Sequence, residues 1–249
     1  MRTAGGVRRA RTAAVAVAAV TAAAVLAGCG AGGADGKDGK RSAGGRERPG
    51  GPAGARPGEL AGVGPALRSR VPADARQAVV VRGAGADSPD ATVTLYDKGA
   101  NGWRPQGSWP AHNGRRGWTA DHHEGDQRSP IGVFALTDAG GVLPDPGSRL
   151  PYTHSAAFTP PSYWSRTTRH DFDYVVAIDY NRVPGTSPLD PTRPLGQAKG
   201  GGVWLHLDHG SGTSACVSVA KPAMAALLRA LDPARHPVVV MGDQAHLAG

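Results

Sequence analysis

From residue 78 onward, short apolar runs rich in β-branched residues alternate with turn-forming clusters, which predicts strands rather than helices. Residues 78–82 (AVVVR) and 91–97 (ATVTLYD) read as two strands, and 103–109 as a third, interrupted by Pro105. Residues 131–137 (IGVFALT), 173–180 (DYVVAIDY), 202–208 (GVWLHLD) and 237–241 (PVVVM) continue the series. One helix is expected where Met224, Leu227, Leu228 and Leu231 fall at i, i+3, i+4 and i+7, with Pro222 in its first turn and Asp232-Pro233 ending it. Residues 143–172, rich in Pro, Ser, Thr and aromatics, read as a long functional loop. The expected fold is mainly β, a sandwich or barrel with one or two short helices.

The N-terminal part has a different pattern. Arg8 and Arg9 precede an apolar, alanine-rich run over residues 13–27 that is short for a membrane span. A basic start, a short apolar stretch and small residues form an export signal. It closes on Leu26-Ala27-Gly28-Cys29, which resembles a bacterial lipobox and makes Cys29 the expected lipidation site. Residues 30–58 hold almost no large apolar side chain and read as a flexible tether, on the order of 100 Å if extended. Residues 59–76, with Leu60, Val63, Leu67 and Val71, are transitional, a short helix or packing arm. The expected organisation is a leader over 1–28, a lipidated N-terminus and tether over 29–75, and one domain over 76–249. The expected location is the bacterial envelope, anchored to the outer face of the cytoplasmic membrane through lipid on Cys29.

Charge changes this picture little. The net +8 falls to +4 without Arg2, Arg8, Arg9 and Arg11 of the leader, and much of the rest lies in the tether. The domain has no dense basic stripe and aromatic content is 5%, so nucleic acid is not an expected partner. Nothing in the composition calls for an oligomer, and a monomer is expected.

Cysteine usage is more informative. The chain has two cysteines, and lipid on Cys29 leaves Cys216 alone in an oxidising compartment. Such a residue is either a small buried hydrophobe or a nucleophile. Its surroundings favour chemistry. By period-two alternation His206 shares a strand face with Trp204 and Asp208, and a loop of small residues, 210–215, leads to Cys216. Small residues let backbone amides approach a substrate, and an imidazole in reach can take the thiol proton and return it to a leaving amine. His206 lies ten residues before Cys216 and His209 seven, so either can serve only if the loop folds back. Asp208 is placed to orient a histidine or to sit exposed at a strand end. His122 and His123, taken with His206 and His209, do not give convincing metal-ligand spacing, so neither a metal nor another cofactor is expected.

Two segments carry a resemblance. EGDQRSPIGVF at 124–134 is similar to the G-D-x-x-T/S-P-x-G-x-F stretch of bacterial L,D-transpeptidases. His206 followed by Ser214-Ala215-Cys216-Val217 is similar to the histidine and S/T-x-G-C-V of the same family, the likeness covering about residues 78–242. The resemblance implies that Cys216 attacks the carbonyl of a diaminoacyl–D-alanine bond in the peptidoglycan stem peptide. D-alanine leaves, and an amine of a second stem resolves the thioester. It also implies His206 as general base, the backbone of Ala215 and Cys216 as oxyanion hole, and no metal. His209, Asp208, Ser214 and Ser218 are candidates for contacting substrate or orienting the site. The chain departs from the pattern at Ala215 and Leu207, where the family has glycine, and at Ser218, where it has arginine. Two alternatives therefore stand beside the transpeptidase: a thiol carboxypeptidase or amidase on the same substrate, and a non-catalytic wall-binding lipoprotein.

Overall fold

The structure is a computed structural model, and it describes residues 57–249. The expected leader, the Cys29 lipidation site and nearly all of the tether lie outside the described residues. The chain is mainly β, as its alternation predicts. Its strands are β1 (Gln77–Gly83), β2 (Asp90–Gly99), β3 (Gly102–His112), β4 (Trp118–Thr119), β5 (Ser129–Pro130) and β6 (Gly132–Ala135). They continue with β7 (Ala139–Gly141), β8 (Tyr152–His154), β9 (Val175–Ala177), β10 (Trp204–Leu207), β11 (Val217–Val219) and β12 (Val238–Asp243). Ten of them form one mixed sheet in the order β6-β12-β1-β2-β3-β11-β10-β9-β7-β8, and β4 pairs with β5 separately. No helix among the described residues is long and apolar enough to cross a membrane.

The sheet is covered on both faces, which explains the unbroken apolar runs of β1 and β12. Val79 and Val81 of β1 enter the main core, where they meet Leu205, Val217, Met224 and Leu227. Ala78 and Val80 point the other way, into a second cluster with Leu60, Val63, Leu67, Trp103 and Leu247. Helix α1 (Pro65–Arg68) and the residues around it build that second cluster, closed by α3 (Gln244–Ala248) at the other end of the chain. The segment from residue 58 to 75 is thus part of the domain. The boundary expected at residue 76 moves toward the N-terminus, because Leu60, Ala61, Val63, Leu67 and Ala75 are buried in this second cluster rather than solvated.

Helix α2 (Lys221–Ala230) forms where the 3.6-residue period predicts it and buries Ala223, Met224, Leu227 and Leu228. Pro105 does not interrupt β3, which runs eleven residues. On one side β3 pairs with β2, and a bulge between Leu95 and Tyr96 accommodates Pro105. On the other side β11 reaches only Ala111 and His112, so the missing N–H of Pro105 leaves no ladder bond unmade. The expected strand over 173–180 is shorter, only Val175–Ala177, because Ile178 and Asp179 leave β10 and bond to Val203 and Ala135.

Candidate active site

Strands β10 and β11 are parallel neighbours, with Leu205 opposite Val217 and His206 opposite Ser218. Cys216 immediately precedes β11 and therefore lies beside Trp204. Its Sγ accepts from the Trp204 amide at 3.4 Å and approaches the Gly202 carbonyl at 3.6 Å. The connection between the two strands does fold back. Gly210 turns at φ 83°, with its N–H on Asp208 at 3.0 Å. Thr213 then bridges to Gly114, donating to Asn113 O at 2.9 Å and accepting from Arg115 N at 2.8 Å.

Ser129, in the middle of the 124–134 segment, locks the end of that loop. Its buried hydroxyl donates to Ala215 O at 2.6 Å and accepts from Gly114 N at 2.9 Å. A side chain at Gly114 would meet the backbone of residues 127–129 within 2.8 Å, so only glycine brings the three strands of contact together. The Thr213 hydroxyl holds Cys216 O at 2.6 Å. A trans peptide points its C=O and the following N–H in opposite directions. With Ala215 O held on Ser129, the Cys216 N–H faces away from it. Among the described residues, the amides of Ser214, Ala215 and Cys216 have no hydrogen-bond acceptor. The two sequence motifs are one device: the first shapes the loop that carries the thiol of the second.

His206 is buried, and its Nδ1 lies 2.8 Å from the Leu207 carbonyl. A carbonyl only accepts, so Nδ1 carries the proton and Nε2 keeps its lone pair. The ring packs edge-on against Phe172, centroids 5.4 Å apart. Burial pushes the His206 pKa down to about 4, against smaller opposing help from the Leu207 carbonyl, so the ring is neutral near pH 7. Burial also pushes the Cys216 thiol up to about 11, partly offset by the Trp204 amide and reinforced by the Asp171 carboxylate. The resting pair is a thiol and an imidazole, not a thiolate and an imidazolium.

A second histidine stands behind the first. His209 stacks on His206, centroids 6.5 Å apart and planes within 11°. Its Nδ1 lies 3.0 Å from Asp171 Oδ2. The contact is close enough for an ion pair but lies off the N–H direction, so Nδ1 has no well-formed hydrogen bond. Burial raises the Asp171 pKa to about 6, while His209 pulls it back. Asp171 O also accepts from Leu207 N at 2.9 Å, which ties the turn before β9 to the end of β10 and holds the carboxylate there.

Cys216, His206, His209, Asp171 and Ser214 line one cleft of about 740 Å³. The 143–172 segment is not a featureless loop: β8 and two 3-10 turns order it, and Phe158 is buried. Its Trp164, Thr168 and Phe172 form one wall of the cleft, and Trp204 packs on Phe158 and Phe172. The opposite wall comes from Pro188, Leu189 and Asp190. Buried Arg182 anchors that stretch by pairing with Asp138 and Asp179 and donating to Thr186 O at 2.6 Å. Arg115 and Arg193 complete the lining and supply its positive charge.

The other expected site residues fall elsewhere. Ser218 is fully buried and donates to Asp208 at 2.7 Å, so it is a packing residue and not a substrate contact. Asp208 does orient a histidine, but it is His112 of β3, at 2.7 Å, and neither candidate base. His122 is buried against Tyr180 and pairs with Asp126 at 2.9 Å, apart from the cleft histidines. Asp171, Phe172, Arg115 and Arg193 were not singled out from the sequence. Only His209, already a candidate, carried a trace of the Asp171 site, since a histidine at a strand end invites a carboxylate from another element.

No family model matches the chain, and no curated protein matches it. Among solved structures the chain is similar to Bd1075 of Bdellovibrio bacteriovorus, at 13% sequence identity and a TM-score of 0.38. The match covers 67% of this chain and 47% of that one, so the chain spans about half the length of that neighbour.

Proposed function

We propose that the domain is a cysteine acyltransferase of the L,D-transpeptidase type, acting on peptidoglycan stem peptides. The observation that carries this reading is the tautomer of His206. With Nδ1–H committed to Leu207 O, Nε2 is the free base in a cleft shared with the Cys216 thiol and unbonded loop amides.

The chemistry follows from those groups. Cys216 Sγ attacks the peptide carbonyl carbon while its proton passes to His206 Nε2. The amides at Ala215 and Cys216 receive the developing oxyanion. As the C–N bond breaks, the imidazolium returns the proton to the departing D-alanine amine, leaving a thioester and a neutral ring. Proton transfer accompanies attack, because neither group is charged at rest.

Two departures from the family pattern have local answers. At Leu207 the working atom is the backbone carbonyl, and the side chain is buried in the core. At Ser218 the missing guanidinium charge is supplied from other elements by Arg115 and Arg193. The envelope location and the lipid on Cys29 belong to the same proposal and rest on the sequence alone.

Incubation with a purified disaccharide-tetrapeptide tests the reading. D-alanine release is expected from the unmodified protein, with loss of about 100-fold or more in His206→Gln and complete loss in Cys216→Ala. Release that survives Cys216→Ala would overturn it.

A further inference from the structure

The cleft holds more acid–base machinery than acylation needs. His206 alone can take the thiol proton and return it. His209 has an equivalent position in the same cleft, stacked on His206, with its Nδ1 turned to a carboxylate that is 94% buried. A carboxylate 3.0 Å from Nδ1 favours the proton on that nitrogen by charge, leaving Nε2 as the basic atom, and stabilises the ring once it is protonated. Asp171 is itself held by its place in the chain, next to Phe172 and bonded through its backbone to Leu207. Its carboxylate faces His209, with the Cys216 thiol, the Asp208 carboxylate and the His170 ring the other charged or titratable groups near it. His206 has no such carboxylate, because Asp208 is engaged by His112 and Ser218. The two imidazoles are therefore built differently: one is tied to a backbone carbonyl, the other backed by a carboxylate.

We infer that His209, positioned by Asp171, is the general base of the second half-reaction, activating the acceptor that resolves the Cys216 thioester. This rests on the acyltransferase reading. A neutral acceptor amine, or water, attacks the thioester carbonyl and forms the new C–N or C–O bond, and its proton passes to His209 Nε2. The C–S bond breaks and sulfur leaves as thiolate. The proton on His209 is then passed to the sulfur, directly or through His206, restoring the thiol and two neutral rings. The net reaction is thioester plus amine giving amide plus thiol, or thioester plus water giving acid plus thiol. Division of labour between the two histidines lets the acceptor enter from the His209 side while the acyl group still occupies the oxyanion amides.

Rapid-quench mass spectrometry of the purified full chain with a disaccharide-tetrapeptide donor, with and without D-methionine as acceptor amine, separates the two halves. In His209→Gln the thioester on Cys216 is expected to form within about 2-fold of the normal rate and to decay about 100-fold more slowly, so that it accumulates. Imidazole added to His209→Ala should recover part of the decay rate, which a merely structural role would not allow. Asp171→Asn should slow decay less than His209→Gln. Equal slowing of formation and decay in His209→Gln, or decay at the normal rate, overturns the assignment while leaving Cys216 as nucleophile. Absence of any thioester in both the unmodified protein and His209→Gln overturns the acyltransferase reading itself, and this assignment with it.

Discussion

At the scale of single residues, burial keeps both the Cys216 thiol and the His206 ring neutral at rest. A thiol held near 11 has on the order of 100-fold less thiolate at pH 7 than a free cysteine near 8.5. Alkylation of Cys216 by iodoacetamide should accordingly be slower than that of free cysteine by about that factor, and should rise with pH well past 9. A plateau near pH 7 would mean a preformed ion pair. Ser129 has no chemistry of its own, yet its hydroxyl sets the direction of the Cys216 amide. Ser129→Ala leaves the Gly114 amide and the Ala215 carbonyl without a buried partner. The expected costs are about 1–3 kcal/mol in urea unfolding and about 10-fold or more in D-alanine release. Both losses together are the signature; a loss of stability alone would separate the serine from the oxyanion amides.

At the scale of elements, the strands that were legible in the sequence are those whose pattern is settled by burial. Val79 to Val81 and Val238 to Met241 are buried on both faces, so their apolar runs announce themselves. Strand β7 is Ala-Gly-Gly, poor in strand formers, and β8, Tyr-Thr-His, is too short at three residues to show an alternation. They exist because β9 and each other supply partners. Cys216 and His206 were legible because both lie on one short strand–loop–strand unit. Asp171 was not, since it meets His209 only because the turn before β9 folds against the end of β10, a tertiary fact. The same reasoning explains the arm at 58–75, whose aliphatic residues are too sparse to declare a core but fill one against β1. Leu60→Ala should cost about 2–4 kcal/mol of unfolding free energy, as for any fully buried leucine. A change under about 0.5 kcal/mol would return that arm to the tether.

At the scale of the whole molecule, two buried groups of the cleft set opposing responses to acid. His206 titrates at about 4 folded and near 6.5 unfolded, so the unfolded chain binds more protons between those values and stability falls as pH drops through that window. Asp171 titrates at about 6 folded, above its ordinary 3.8, so it adds stability as pH drops through about 6 toward 4. The two responses largely offset each other in the intact protein. Asp171→Asn removes the compensation. Its urea midpoint should fall more steeply than that of the unmodified protein between pH 6.5 and 4.5, whereas parallel curves would show that Asp171 does not hold its proton in the folded cleft.

The central claim is that Cys216 is a nucleophile served by His206. Intact-mass measurement after incubation with a carbapenem, an acyl donor suggested by the family resemblance, tests it most directly. One equivalent should add to the protein, vanish in Cys216→Ala and form far more slowly in His206→Gln. A folded protein that stays unmodified, while its thiol titrates normally after denaturation, would contradict it.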